Sequence, residues 1–242
     1  KPWWESATFY YSQWMGLDPE DFSYYNDVVS RPMYARWHQL SRPGDAVYIS
    51  WHTNGYRGTT RGTESYVHNG DVYPRTEGSL ELQAAVHDEL IHDIRVGWDP
   101  GWIDRGKKRR DLGEIRMLWD SDPAARIPGT LLELAFHDNE EDGYALKDPR
   151  FNRLSARAIY QGVVKYFEAK DGVDLHLAPD PPTHLRVRNV GSGAVQIAWS
   201  PPVVDDVGLG GEPAMGYHVY TSDDGFGWGA PVLVSGTAYT IT

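Results

Sequence analysis

A proline-rich break, Ala178-Pro179-Asp180-Pro181-Pro182, divides the chain into two parts with different periodicities. Three prolines in five residues cannot continue a helix, and they hold the backbone extended and stiff. Before the break lie long segments with helical spacing interrupted by short apolar runs. After it come short stretches of period-two alternation separated by Gly, Pro and Asp clusters. The expected organisation is therefore a larger domain over residues 1–172, a linker over 173–181 and a small all-β domain over 182–242.

In the larger part, strand-like runs alternate with helices. Glu5 to Met15 has helical spacing and ends at Gly16. Ala46 to Ser50 follows Pro43-Gly44-Asp45 and reads as a buried strand; Thr63 to Val67 reads as another. Ser79 is the expected N-cap of a helix to Ile94, with Leu82, Val86, Leu90, Ile91 and Ile94 on its buried stripe. Thr130 to Phe136 is a strongly apolar strand. Asp148-Pro149 starts a helix to Phe167 that buries Ala156, Ile159, Val163 and Phe167. Such alternation predicts an α/β fold with a largely parallel sheet flanked by helices, in which ligands collect at the carboxyl ends of strands.

Composition removes several classes of function. A net charge of −11 argues against a nucleic-acid partner, which needs clustered positive charge. No apolar run approaches the roughly 20 residues that span a bilayer. With no cysteine, disulfides, thiolate metal sites and cysteine nucleophiles are excluded. Ten Trp, 15 Tyr and six Phe in an acidic chain suit sugar or peptide ligands, although most such rings serve a core.

Two residues carry the sharpest chemical signal. His52, in Ser50-Trp51-His52-Thr53-Asn54, stands just past an expected buried strand. There a neutral imidazole is either a metal ligand or a hydrogen-bonded structural group. Glu133 interrupts the apolar run Thr130–Phe136. A carboxylate there costs several kcal/mol unless it is paired, metal-bound or protonated, so it is a general base of raised pKa or half of a buried ion pair.

Other patterns carry less. His87 and His92 are five apart, about 140° around a helix, where paired ligands need a spacing of four. Asp138 to Gly143 begins like a calcium loop, but Pro149 stands where the loop needs Glu, so a solvated turn is expected. The basic run Arg105 to Arg110 reads as an exposed loop that could touch an anionic wall, and Gly208 to Gly211 as a flexible loop.

Taken in order, the segments resemble the zinc-dependent type 3 N-acetylmuramoyl-L-alanine amidases. Ser50 to Asn54 is similar to the family's S-x-H-x-N segment, and Leu132 to Asn139 to its V-E-x-G-F-x-S-N segment. Arg31, Ala35, Gly62 to Tyr66 and Arg105-Gly106-Lys107 fall in sequence around them. Ala135 stands where the family has Gly, and His137-Asp138 replaces its usual pair. The resemblance implies a zinc ion held by His52, by Glu5 and by a histidine expected before Lys1. It implies Glu133 as the catalytic glutamate, Asn54 as a substrate-binding residue, and peptidoglycan as the partner, with zinc activating the water. The bond cut would be the amide between N-acetylmuramic acid and L-alanine, in the cell envelope, periplasmic or secreted. Trp3, Trp4, Trp51, Tyr56 and Tyr66 could flank glycan or stem peptide. With one ligand outside the chain, weak zinc binding and little hydrolysis are expected of these 242 residues alone.

The C-terminal part resembles a fibronectin type III domain, an immunoglobulin-like sandwich. The likeness rests on Pro181-Pro182, Trp199 before Ser200-Pro201-Pro202, and Gly216 to Tyr220 before Ser222 to Gly225. Trp199 is the expected core residue, and contact with wall or protein the expected role. Both domains are expected to be incomplete, the first lacking its opening strand and a metal ligand, the second its closing strands. Two other functions fit the residues: a glycoside hydrolase using paired carboxylates such as Glu64 and Glu133, and a wall-binding module without catalysis.

Overall fold

The computed structural model describes residues 7–17, 27–42, 44–204 and 208–242. The chain falls into two compact units, Lys1–Leu175 and His176–Thr242.

The first unit is built on a four-stranded sheet of β1 (Tyr48–Asn54), β2 (Thr63–Val67), β3 (Asp104–Arg109) and β4 (Gly129–Phe136), in the order β1-β4-β2-β3. The sheet is mixed rather than largely parallel: β1 and β4 run parallel, as do β2 and β3, but β2 is antiparallel to β4. Connection length explains the difference. Only residues 55–62 join β1 to β2, and a parallel return needs a crossover of a dozen residues or more. Between β2 and β3 there is room for a helix, and that pair is parallel.

Helix α1 spans Thr8–Trp14, and α2 (Asp27–Ser41) was not anticipated from the spacing. Its apolar residues form no clean stripe, and Pro32 sits inside it. Helix α3 spans Ser79–Gly97, α4 Gly113–Arg116, α5 Glu140–Lys147 and α6 Pro149–Asp171. The core on one sheet face joins Leu82, Val86, Leu90 and Ile94 of α3 to Leu132 and Leu134 of β4 and Phe151 and Ala158 of α6. Burial of such a side chain stabilises by about 1.5–3 kcal/mol. On the other face Leu131 packs with Ile115, Leu118 and Ile127. Odd and even residues of β4 thus serve opposite faces.

Two expectations about helices change. The N-cap of α3 is Gly78, at φ 81°, and Ser79 instead accepts a hydrogen bond from the Gly129 amide through its Oγ (3.0 Å). Only glycine fits at 78, because a Cβ there would lie 2.5 Å from the Tyr166 hydroxyl. On α6 the buried stripe includes Ser155, Ala158, Gly162 and Tyr166, while Ala156 is exposed. Gly162 sets that rotation: a Cβ on it would meet the Val86 backbone at 2.6 Å, so α3 and α6 touch almost backbone to backbone.

The second unit carries small antiparallel sheets. One is β5 (Thr183–Gly191), β6 (Ala194–Ser200) and β9 (Ala238–Ile241); the other is β7 (Tyr217–Val219) with β8 (Val232–Val234). Trp199 is buried against Tyr217, with ring centroids 5.1 Å apart. All nine residues of β5 are exposed. Among the described residues no helix is long and apolar enough to cross a membrane.

Candidate active site

The central strand β4 places Glu133 between two partners. In register, His52 of β1 lies on one side of it and Glu64 of β2 on the other. Residues paired across strands point to the same face, with Cβ atoms about 5 Å apart. His52, Glu133 and Glu64 therefore form a row across one face. His52 lies inside β1, not beyond it, since the strand runs on to Asn54. Alternation sends Trp51 to the opposite face, where it is half exposed.

The two carboxyls of the row differ sharply. Glu64 is 3% exposed and fully engaged. Its Oε1 accepts from Asn54 Nδ2 (3.0 Å) and the Tyr66 hydroxyl (2.8 Å), and its Oε2 accepts from Arg105 Nε (2.8 Å) and from Lys108. Four donors fill the four acceptor positions of a carboxylate. Burial pushes its pKa up, but the hydrogen bonds from Lys108, Tyr66 and Arg105 outweigh it and hold Glu64 below the ordinary range. The Tyr66 phenol is raised to about 12, by burial and then by its bond to Glu64.

Glu133 has no such support. Its Oε2 is buried without a hydrogen-bond partner. Burial first, then the negative charges of Glu64 and Glu114, raise its pKa to about 7. One carboxyl is thus a fixed anion, and the other is free to gain and lose a proton near neutrality.

Around this row the imidazole Nε2 of His52 is 3.0 Å from Ser50 Oγ, with donor and acceptor set by the tautomer. Asn54 also accepts the Gly55 amide through Oδ1 (2.8 Å). One of its amide hydrogens goes to Glu64, which leaves the second for a ligand. The loop after β1 is pinned from the end of β4. Asp138 accepts the amides of Tyr56 (3.1 Å) and Gly58 (2.9 Å), and these bonds lower its pKa. Asp142 is fully buried; its Oδ2 accepts the amides of Gly62 (2.8 Å) and Phe136 (2.9 Å), and its Oδ1 faces Arg61 Nε at 3.4 Å. Replacing Asp142 with Ala would strand both amides, while the Arg61 guanidinium would keep Glu141 and Asp99 as partners. Two unsatisfied buried amides are expected to cost about 2–5 kcal/mol together, read as a fall in the urea midpoint of unfolding.

Several sequence expectations change here. The basic run is not an exposed loop: residues 104–109 form β3, Arg105 and Lys108 neutralise Glu64, and Lys107 pairs with Asp88 at 2.5 Å. Asp138 to Gly143 is not a solvated turn, because Asn139 caps α5 and Asp142 is buried. His87 binds Asp104 (2.8 Å) and His92 binds Asp93 (3.0 Å), so each is committed elsewhere. Glu5, Trp3 and Trp4 lie outside the described residues. Among the described residues no group of three His, Asp or Glu can hold a metal, so His52 and its neighbours do not by themselves complete a zinc site.

Arg61, Asp142 and the clamp on Glu64 were not assigned from sequence. Asp142 sits in an acidic run, Asp138-Asn-Glu-Glu-Asp142, where nothing marks one carboxylate as buried. The only trace of the clamp was the nearness of the basic run to a strand.

Comparison with known proteins adds one broad match. A family model described as N-acetylmuramoyl-L-alanine amidase covers residues 21–165. The chain is 30% identical over 127 residues to an uncharacterised cell wall amidase of Bacillus anthracis, spanning 51% of this chain and 22% of that protein. It is 25% identical over 122 residues to the uncharacterised protein YqiI of Bacillus subtilis, spanning 50% of this chain and 52% of the other. The chain thus spans about a fifth and about half of the length of these curated relatives. Similar solved structures include the CwlD amidase of Clostridioides difficile in complex with the GerS lipoprotein (25% identity, 57% of this chain and 62% of that one, TM-score 0.44). Another is the catalytic domain of CwlV from Bacillus (Paenibacillus) polymyxa (22%, 58% and 65%, TM-score 0.45).

Proposed function

Since the chain belongs to the N-acetylmuramoyl-L-alanine amidase family, we propose that it hydrolyses the amide between N-acetylmuramic acid and L-alanine in peptidoglycan, acting in the cell envelope outside the cytoplasm. The observation that carries this reading is the Glu133 carboxyl: unpartnered at Oε2, raised to about 7, and in register with His52. Above that pH Oε2 is a free base that takes a proton from an attacking water and returns it to the leaving nitrogen. Glu64 keeps its charge throughout and raises the basicity of its neighbour. Asn54 has an amide hydrogen to offer the substrate.

Zinc is part of this proposal as the cofactor, with His52 as one ligand and Glu5 as another. Residues 182–242 are read as a fibronectin type III module that touches wall or protein, and the buried Trp199 supports that reading.

A glycosidase reading is disfavoured by Glu64. A second catalytic carboxylate needs a free oxygen, and four donors occupy both of its oxygens. Two measurements test the proposal. EDTA is expected to abolish wall hydrolysis and excess zinc to restore it; indifference to both would remove the metal. The pH–rate profile is expected to rise through about 7 as Glu133 ionises. Glu64→Gln is expected to move that limb to lower pH, because the neighbouring negative charge is gone; an unmoved limb would show that another group sets it.

A further inference from the structure

A cavity of about 730 Å³ opens between the start of α3, the end of α6 and the chain that leads into β4. It lies at the opposite end of β4 from the loop over the site: lining residue Pro128 immediately precedes the strand, and Glu133 is roughly 17 Å further along the chain. None of the residues assigned to hydrolysis lines it.

The charges on its wall are unusual in being left over. Lys165 is paired with Glu89, and Lys170 with Asp45 and Asp171. Arg75 and Arg126 are held by carbonyl oxygens instead. Arg75 Nη1 donates to His68 (3.3 Å), and Arg126 donates from Nε to Asp120 (2.6 Å) and from Nη2 to Ser121 (3.2 Å). Neither guanidinium has a carboxylate partner among the described residues. Glu77 and Glu81 on the same wall likewise take part in no ion pair there. Trp119 on the same wall supplies aromatic surface, and Arg126 sits 5.2 Å from the centre of its ring.

Two fixed cations and two free anions around an aromatic floor match a zwitterion with an apolar body. An anion alone would meet the glutamates, and a cation alone the arginines. We propose that the cavity is a second binding site for a short free peptide, with its carboxylate at Arg75 and Arg126, its ammonium at Glu77 and Glu81, and a side chain against Trp119. This rests on the amidase reading for the source of the peptide. Before cleavage the alanine nitrogen is an uncharged amide, and after cleavage it is an ammonium. The site therefore takes the product and rejects the same peptide still joined to the glycan.

Isothermal titration of the 242-residue protein tests this with an alanine-led tripeptide and its blocked forms. The free tripeptide is expected to bind with Kd of about 1 mM or tighter. N-acetylation, C-terminal amidation, Glu81→Gln and Arg126→Gln are each expected to weaken binding at least about tenfold. The exposed Glu81 variant keeps the test valid if Arg126→Gln disturbs folding. Equal affinity for free and acetylated tripeptides, equal displacement by inorganic phosphate, or no saturable binding would overturn the proposal. Prolonged wall digestion by the same preparation with zinc in excess separates the two readings. Peptides released but not bound overturn the second site alone. Peptide bound but none released overturns its identification as product.

Discussion

Glu133→Gln is expected to lower wall hydrolysis by about 10²–10⁴-fold, measured with zinc in excess, and at the same time to make the protein more stable above neutral pH. Both effects have one cause. The carboxyl is held in a place that suits the neutral form, since burial and the charges of Glu64 and Glu114 raise its pKa to about 7. Below the ordinary value of 4.5 the folded and unfolded chains are both protonated there, and nothing is lost. Between 4.5 and about 7 the unfolded chain ionises while the folded chain stays protonated, so stability falls as pH rises through that window and remains lower above it. Glutamine is neutral at every pH and escapes the loss. Its advantage is expected to reach about 1–3 kcal/mol by pH 8 and to be absent near pH 4. Urea unfolding at the two pH values reads this directly. An advantage that is equal at both would mean that Glu133 does not titrate abnormally.

His52→Ala is expected to lose hydrolysis by more than about 10²-fold, for a different reason. It should also weaken zinc binding measured by direct titration, whereas Glu133→Gln should bind zinc like the parent. The contrast separates a ligand from a base. Equal zinc affinity in all three proteins would assign His52 to its hydrogen bond with Ser50 and nothing more.

Much of this was legible in the sequence because it depends on local pattern. From Leu131 to Phe136 the run is apolar except for Glu133, so that one carboxylate is conspicuous, and the α3 stripe repeats at helical spacing. The strand directions were not legible, because the choice between parallel and antiparallel lay in an eight-residue loop that pattern alone does not weigh. Nor was the rotation of α6, which a single close approach at Gly162 decides. Charges were the hardest to place. Lys108 and Arg105 look like solvated surface residues, and Asp142 looks like any member of an acidic run, until tertiary contact brings them to Glu64, to Arg61 and to two backbone amides. The fixed-anion and free-acid pair at Glu64 and Glu133 arises from that contact, while the spacing of the two residues in the chain holds no trace of it.

The central claim is that this chain cuts an amide in peptidoglycan. Purified wall digested by the protein with excess zinc should gain free amino groups, identified by end-group labelling as N-terminal alanine, with no increase in reducing sugar ends. New reducing ends without new alanine amino termini would contradict the claim and assign the row of His52, Glu133 and Glu64 to glycoside cleavage instead.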